Sequence, residues 1–454
     1  MADWDPEGKG EEERERAETV ARLQAIIRFD TTNPPGNELP LARYLEKALR
    51  DEGIETTLLE LPKNRAQLIG RIRGNGAGRP VILLAHMDVV SVERASWTHD
   101  PFAGEISDGY LYGRGAIDDK GMLAANLMTM LLLKRMLDLS RATLSRDIVF
   151  IATSDEEAGG EWGISWIAAH HPEILNAEFA VNEGGRTRII GEGLTYLAVQ
   201  SAEKVSHVVT VSARGSAGHA AIPLPDNAIF RLGCALDRLS AYAEPVVLTE
   251  ITRLFFARLA EVWPNEQEKK AMLDLVDGEG ARAESGAGVI SAIPVFNAVL
   301  RNGISPTVIE GGKQFNVIPD SAGAVLNVRT LPGQSIDDVV KRMRAVIAEP
   351  GVTVEITQRG EESPASEPNS AMFEAIADAA HELDSRIAVV PYLSTGMTDS
   401  ARLRRLGVQA YGVLPFPMTE ADEKRMHGHD ERIPIDSLHF GTRLIFSAIV
   451  RVAR

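Results

Sequence analysis

The sequence predicts an α/β fold in which a mixed, largely parallel sheet is covered by helices and a second, α+β domain is inserted. Short apolar strands alternate with helices over the first part of the chain, up to about Gln200. Beyond that point the strands alternate apolar and polar residues, as half-buried strands do. We therefore expect a first domain formed by residues 1–201 and 363–454, and an inserted domain at residues 202–362.

Hydrophobic periodicity places the elements of both domains. In the first domain we expect helices at about residues 11–28, around 41–49, at 122–137 and at 372–383, and strands at 67–72, 81–85, 147–152, 178–181 and 408–413. In the inserted domain we expect strands at 206–212, 323–329 and 352–357, helices at 226–242 and 337–347, and a charged, helix-favouring stretch at 254–276.

Composition limits the class of protein and its partners. The 454 residues exceed what one hydrophobic core usually serves, and 44% apolar with 25% charged residues is typical of globular proteins. A net charge of −16 argues against nucleic acid or an anionic membrane as a main partner. The acidic start, without a basic and apolar leader, favours a cytoplasmic location. The single cysteine, Cys234, excludes an internal disulfide and is expected to be a small core residue within a helix.

Polar residues follow the predicted strands of the first domain at the points where these strands end. The strand at 81–85 ends in His86 and Asp88, the strand at 147–152 is followed by residues 155–157, and the next ends beside Glu183. Because the carboxyl ends of parallel strands share one edge of a sheet, we expect these side chains to converge. Asp118 follows a glycine turn and precedes a helix, and is expected to join them.

Converging carboxylates predict a metal. Without a cation these groups would repel one another and their pKa values would rise. Histidine together with aspartate and glutamate suits zinc or its first-row neighbours better than calcium, which prefers oxygen ligands alone. The alternative, unrelated surface acids at strand ends, fits any one of these residues but does not account for the whole set.

Four motifs together resemble metallopeptidase family 20, which includes aminoacylase, acetylornithine deacetylase, succinyl-diaminopimelate desuccinylase, carnosinase and yeast carboxypeptidase S. The motifs are His-x-Asp at residues 86–88, Gly-Arg-Gly-x-x-Asp-x-Lys-Gly at 113–121, Asp-Glu-Glu at 155–157 and His-Gly-x-Asp-Glu-Arg at 427–432. The resemblance covers essentially the whole chain. It implies a zinc-peptidase-like catalytic domain and an inserted lid or dimerisation domain.

The same resemblance implies two divalent metal ions per subunit, zinc first, with cobalt or manganese as alternatives. His86, Asp118 and Glu183 would hold one ion, and Asp118, Glu157 and His427 the other, with Asp118 bridging the two. Asp118 is preferred to its neighbour because the family's ligand is the first residue of Asp-x-Lys-Gly.

Further roles follow from the resemblance. Glu156 matches the general base, and Asp88 matches the carboxylate that orients His86. His219, in a Gly-His-x-x-x-Pro motif, would donate to the oxyanion across a homodimer. The residues expected to contact substrate are Asn316, Arg329, Gly396 and Thr398.

The expected activity is di-metal hydrolysis of the amide bond of N-acyl amino acids or small peptides, which releases an amino acid with a free carboxylate. One alternative is a biosynthetic deacylase acting on acetylornithine or succinyl-diaminopimelate. Another is a binding protein that keeps the fold without catalysis, although the intact Glu156 and metal-ligand positions argue against it.

Overall fold

The protein forms two compact units in this computed structural model, which describes residues 9–191 and 193–454. The first unit runs up to Ser201 and continues through Ala365–Tyr392 and Thr398–Arg454. The second unit comprises Ala202–Pro364 together with Leu393–Met397. Their roles as catalytic and lid domains stay predictions.

The first unit contains strands and helices in alternation. Its strands are β1 (Glu55–Leu61), β2 (Arg65–Ile72), β3 (Val81–His86), β4 (Glu105–Ser107), β5 (Tyr110–Tyr112), β6 (Ile148–Thr153), β7 (Phe179–Asn182), β8 (Arg186–Ile190), β9 (Leu194–Glu203), β16 (Ala388–Ser394), β17 (Gln409–Gly412) and β18 (Arg432–Pro434). Its helices are α1 (Lys9–Ile27), α2 (Leu39–Asp51), α3 (Lys120–Ser140), α4 (Ile164–His170), α11 (Ala371–Leu383), α12 (Asp399–Arg405), α13 (Glu420–Glu423) and α14 (Ile435–Ala453).

A mixed sheet lies at the centre of this unit, and within the described residues it contains nine strands. Along the order β1-β2-β6-β3-β7-β17-β9-β16, the four strands from β6 to β17 run parallel to one another. β1, β2 and β9 pair with antiparallel neighbours. The predicted strand at 67–72 is therefore real but belongs to the antiparallel flank. The largely parallel sheet covered by helices is confirmed.

β3 shows how the sheet is covered on both sides. Its side chains alternate, so Leu83 faces a core shared with helices α2, α3, α11 and α14, whereas Leu84 faces a smaller core shared with α4 and α12. Both leucines are fully buried because each face of the strand is covered. Although α3 is long and apolar, no helix among the described residues is long and apolar enough to cross a membrane.

The second unit is an antiparallel sheet with helices. Its strands are β10 (Val205–Arg214), β11 (Gly218–His219), β12 (Gly303–Gly311), β13 (Val317–Ile318), β14 (Ser321–Thr330) and β15 (Val352–Gln358). Its helices are α5 (Ala228–Ser240), α6 (Glu250–Val262), α7 (Glu266–Asp277), α8 (Ala281–Ile290), α9 (Pro294–Leu300) and α10 (Ile336–Ile347).

The core of the second unit lies between α5 and α10 and one face of the sheet β12-β14-β10-β15. Strict alternation in β10 and β14 sends every second side chain to that core, which matches the pattern in the sequence. The expectation for Cys234 is wrong, because it lies on the exposed side of α5. This helix is apolar on two sides, and only one side faces the core.

Candidate metal centre

Three parallel strands bring the predicted site residues to one edge of the central sheet. His86 is the last residue of β3 and lies beside Thr153, the last residue of β6. Glu156 and Glu157 lie in the loop after β6, and Glu183 follows β7 directly. Because the three strands are parallel and in close register, their carboxyl ends lie side by side at the same edge of the sheet.

Side-chain atoms of these residues lie close enough to share cations. One ligand atom each from His86, Asp118 and Glu157 lies within 4.8 Å of the others, and the same holds for His86, Glu156 and Glu183. The Nε2 atom of His86 is 3.1 Å from Oδ1 of Asp118. Asp118, which lies in the loop before α3, is therefore close to the residues at the strand ends.

His427 completes the cluster from a distant part of the chain. Its Nε2 atom is 3.0 Å from Oδ2 of Asp118 and 3.1 Å from Oε1 of Glu157. Asp118 therefore faces one imidazole with each of its carboxylate oxygens. Hydrogen bonds to Asp118 and Glu157 raise the pKa of His427 to about 10.

Electrostatics at this edge fit a donor set for divalent cations. Burial raises the pKa of Glu156 and of Glu183 well above the ordinary value, and neighbouring carboxylates raise it further. Burial also opposes ionisation of Asp118, but hydrogen bonds from His427 and His86 outweigh it and lower that pKa. Two imidazoles among several buried or half-buried carboxylates are the ligand types that zinc and its neighbours prefer. A positive ion would offset the repulsion.

Asp119 makes a different contact from Asp118. Its Oδ2 atom accepts a hydrogen bond of 3.2 Å from the backbone nitrogen of His86. Burial raises the pKa of Asp119 well above its usual value. Of the two adjacent aspartates, Asp118 is thus the one whose carboxylate contacts both imidazoles.

Asp88 holds two parts of the site together. Its backbone carbonyl lies 2.9 Å from Nδ1 of His86, and its carboxylate Oδ1 lies 3.6 Å from the same nitrogen. The carboxylate also accepts hydrogen bonds of 3.1 Å from the backbone amides of Glu156 and Glu157. The predicted contact with His86 thus involves mainly the backbone, and the carboxylate fixes the loop after β6.

Sequence reasoning missed the residues behind Asp88. Asn33 donates a hydrogen bond of 2.8 Å to Oδ2 of Asp88, and its own side-chain oxygen accepts one of 2.7 Å from Arg65. Arg65 also pairs with Asp155 at 3.0 Å and with Glu38 at 3.1 Å. This buried network joins the loop at residues 31–38 to the site. No local sequence pattern links the Thr-Asn-Pro-Pro-Gly segment at residues 32–36 to its partner on β2.

His219 and Asn316 lie together in the second unit. β11, which contains His219, pairs with β13, and the backbone nitrogen of Ala220 donates to the carbonyl of Asn316 at 3.1 Å. Both residues are exposed. Nδ1 of His219 accepts a hydrogen bond of 3.1 Å from the amide of Ala221, so in the neutral ring the proton is on Nε2.

The remaining predicted substrate contacts lie at three further positions. Arg329 is on β14, where its Nε donates to Asn327 at 2.9 Å while its Nη1 is buried without a hydrogen-bond partner among the described residues. Burial lowers the pKa of Arg329. The backbone nitrogen of Gly396, in the second unit, donates to Ser394. Thr398 is buried in the first unit and caps α12.

Several known proteins resemble this chain. The chain is 29% identical over 367 residues to the Dictyostelium discoideum probable carboxypeptidase S-like 2, covering 79% of this chain and 68% of that protein. It is 26% identical over 388 residues to human N-fatty-acyl-amino acid synthase/hydrolase PM20D1, covering 82% of this chain and 74% of that protein.

A solved structure shares the fold: the M20 family metallo-carboxypeptidase Sso-CP2 from Sulfolobus solfataricus matches with a TM-score of 0.69 at 18% identity, covering 96% of this chain and 99% of that one. The family model described as peptidase family M20/M25/M40 matches residues 82–451, the stretch that contains the whole cluster described above. The chain therefore belongs to peptidase family M20/M25/M40, whose members are metal-dependent hydrolases of peptide or other amide bonds.

Proposed function

We propose that this protein is a di-metal hydrolase that cleaves the amide bond of N-acyl amino acids or small peptides and releases an amino acid with a free carboxylate. The observation that carries the proposal is the position of Asp118, whose two carboxylate oxygens each contact a different imidazole at 3.0–3.1 Å. A carboxylate held in this way is suited to bridge two cations. Half-buried glutamates on both sides supply further ligands.

The proposed ligands of the first ion are His86, Asp118 and Glu183, and those of the second are Asp118, Glu157 and His427. Zinc fits this donor set best, with cobalt or manganese as alternatives. When bound, such ions polarise the carbonyl of the scissile amide and lower the pKa of a water molecule.

Glu156 is the proposed general base. Its carboxylate accepts a proton from the attacking water as the water oxygen bonds to the carbonyl carbon, and it then passes this proton to the nitrogen of the leaving amine as the C–N bond breaks. Asp88 supports this task, because its carboxylate binds the backbone amides of Glu156 and Glu157. Asp88 thus positions the base and one metal ligand together.

Arg329 and the names of two relatives support the substrate class. The guanidinium of Arg329, whose Nη1 makes no hydrogen bond to the described residues, is suited to pair with a carboxylate, which fits a product with a free α-carboxylate. Asn316, Gly396 and Thr398 are proposed to contact the rest of the substrate. The relatives named carboxypeptidase S-like and N-fatty-acyl-amino acid hydrolase favour peptides and N-acyl amino acids over a dedicated biosynthetic deacylase.

A homodimer is part of the proposal, and the exposed side of α5 supports it. Phe230 on this helix is 74% exposed, and Ile309 on the edge strand β12 is 67% exposed. Ile229 packs beside Gly311 at the end of β12, so the helix and the strand edge form one apolar surface. An uncovered apolar surface next to an unpaired strand edge favours pairing with a second copy of the chain. His219 would then donate to the oxyanion of the partner's substrate.

Metal content tests the ligand assignment. We expect the purified protein to bind about two equivalents of zinc, and His427→Ala to bind about one, because Asp118 and Glu157 alone give an incomplete site. His429→Ala is the matched control, since this exposed histidine lies two residues away. It should keep both equivalents. Equal metal loss in both variants, measured by elemental analysis, would contradict the assignment.

Turnover tests the base. Glu156→Gln should lower kcat by about 10²–10⁴-fold, because the amide cannot accept the proton, while metal content stays unchanged. Glu161→Gln, in an exposed part of the same loop, should retain the parental kcat. An active Glu156→Gln variant with full metal content would refute the role of this residue.

Mixed dimers test whether His219 acts on the partner's site. Subunits with Glu156→Gln and subunits with His219→Ala should each be nearly inactive as homodimers. When they are unfolded and refolded together, activity should return, because a mixed dimer contains one site with both residues. Absence of any recovery, with mixed dimers demonstrated by mass spectrometry, would place the action of His219 within its own subunit.

A substrate panel decides between the proposed activity and its alternatives. N-acetyl and N-fatty-acyl amino acids, dipeptides, acetylornithine and succinyl-diaminopimelate are assayed with zinc, cobalt and manganese. We expect the highest kcat/KM on N-acyl amino acids or dipeptides. Activity confined to acetylornithine or succinyl-diaminopimelate would instead establish the biosynthetic deacylase. Fewer than about one metal equivalent, with no activity on adding metal, would favour a non-catalytic binding protein.

A further inference from the structure

Glu431 is a fully buried carboxylate that binds the backbone around Asp118. Its Oε1 atom accepts hydrogen bonds from the amides of Ile117 at 2.8 Å and Asp118 at 3.1 Å. Its Oε2 atom accepts a hydrogen bond of 3.1 Å from the amide of Gly115. The loop that presents Asp118 is therefore fixed by a residue from the far end of the chain.

Arg114 extends this contact to the segment that contains His427. Its Nη1 donates to Oε2 of Glu431 at 2.5 Å, and its Nη2 donates to the carbonyl of Gly428 at 2.9 Å and, more weakly, to that of His427 at 3.4 Å. The ring of Trp97 covers the guanidinium at 5.1 Å. Arg114 thus binds the acid and the histidine segment at once, with only 2% of its surface exposed.

His427 lies in a turn. It lies outside any strand or helix, its φ of 60° is in the left-handed region, and nearly half of its side chain is exposed. A ligand held within a turn needs support from its neighbours if two cations are to bind at fixed positions. The carbonyl contacts from Arg114 supply that support.

Stabilisation of the fold does not by itself explain the buried ion pair of Arg114 and Glu431. Removing a guanidinium and a carboxylate from water costs about as much as their attraction returns, so a buried ion pair adds little net stability. The hydrogen bonds of this pair instead go to the backbone of two segments that carry proposed ligands. Their geometry suits a positioning task.

We propose that Arg114 and Glu431 are positioning residues that tie the loop carrying Asp118 to the segment carrying His427, and so set the affinity for the two proposed metal ions. The inference rests on the proposed di-metal function. The inference assigns a different effect to each residue. Arg114 acts on the metal position that His427 helps to form, whereas Glu431 acts through Asp118 on both metal positions.

Zinc titration of the metal-free full-length protein, with a competing chelator, tests this separation. Arg114→Lys keeps the charge but loses the planar fork, so the affinity for one equivalent should fall by about 10–100-fold while the other stays unchanged. The glutamine of Glu431→Gln cannot accept all the hydrogen bonds of the carboxylate, so the affinity for both zinc equivalents should fall. Thermal unfolding of each metal-free variant separates these effects from a general loss of fold.

Asp422→Asn is the matched control. Asp422 is buried and pairs at 2.8 Å with Arg432, the residue next to Glu431. The carboxylate of Asp422 also accepts a hydrogen bond from Thr419. Like Glu431→Gln, Asp422→Asn leaves an arginine without its carboxylate partner, but it should retain the parental affinity for both zinc equivalents. If Asp422→Asn lowers the zinc affinity as much as Arg114→Lys does, the effect is general destabilisation and the positioning role is wrong.

The remaining outcomes are equally decisive. If the parent binds two zinc ions and Arg114→Lys binds both with parental affinity, the positioning role falls while the proposed function stands. If the parent binds none, the proposed function falls and the inference falls with it. Should Glu431→Gln fail to fold, Arg114→Lys alone decides, because selective loss of one equivalent supports the role and equal loss of both contradicts it.

Discussion

Mutual repulsion among carboxylates at one edge of the central sheet is the constraint on which this site depends. Glu156, Glu157, Glu183 and Asp118 converge there because β3, β6 and β7 are parallel and in close register. Burial and neighbouring carboxylates raise the pKa values of Glu156 and Glu183, and the imidazole of His86 offsets only part of that rise. A pair of divalent cations would resolve the conflict and give the cluster its chemistry.

The ligands themselves lie mostly on loops, so their geometry depends on a surrounding set of hydrogen bonds. Asp88 holds the loop after β6, and the network of Asn33 and Arg65 holds Asp88 in turn. Arg114 and Glu431 bind the backbone near Asp118 and His427. The rigid sheet thus supplies the strand ends, and buried charged residues fix the loops between them.

Sequence patterns predicted the parallel strands and the residues at their ends, because a strand buried on both faces is a short apolar run and its end is marked by polar residues. They did not predict that β2 belongs to an antiparallel flank, since apolar runs do not record direction. Pairing between Arg114 and Glu431, 317 positions apart, has no local signal either. The prediction for Cys234 was wrong because an apolar helix face has the same sequence pattern whether it packs in the core or lies exposed.

Anomalous X-ray diffraction from crystals grown with zinc would test the central claim most directly. The account predicts two adjacent zinc peaks at the edge of the central sheet, with Asp118 coordinating both, His86 and Glu183 at one, and Glu157 and His427 at the other. A single peak, or two peaks that share no ligand, would contradict a di-metal centre built on Asp118.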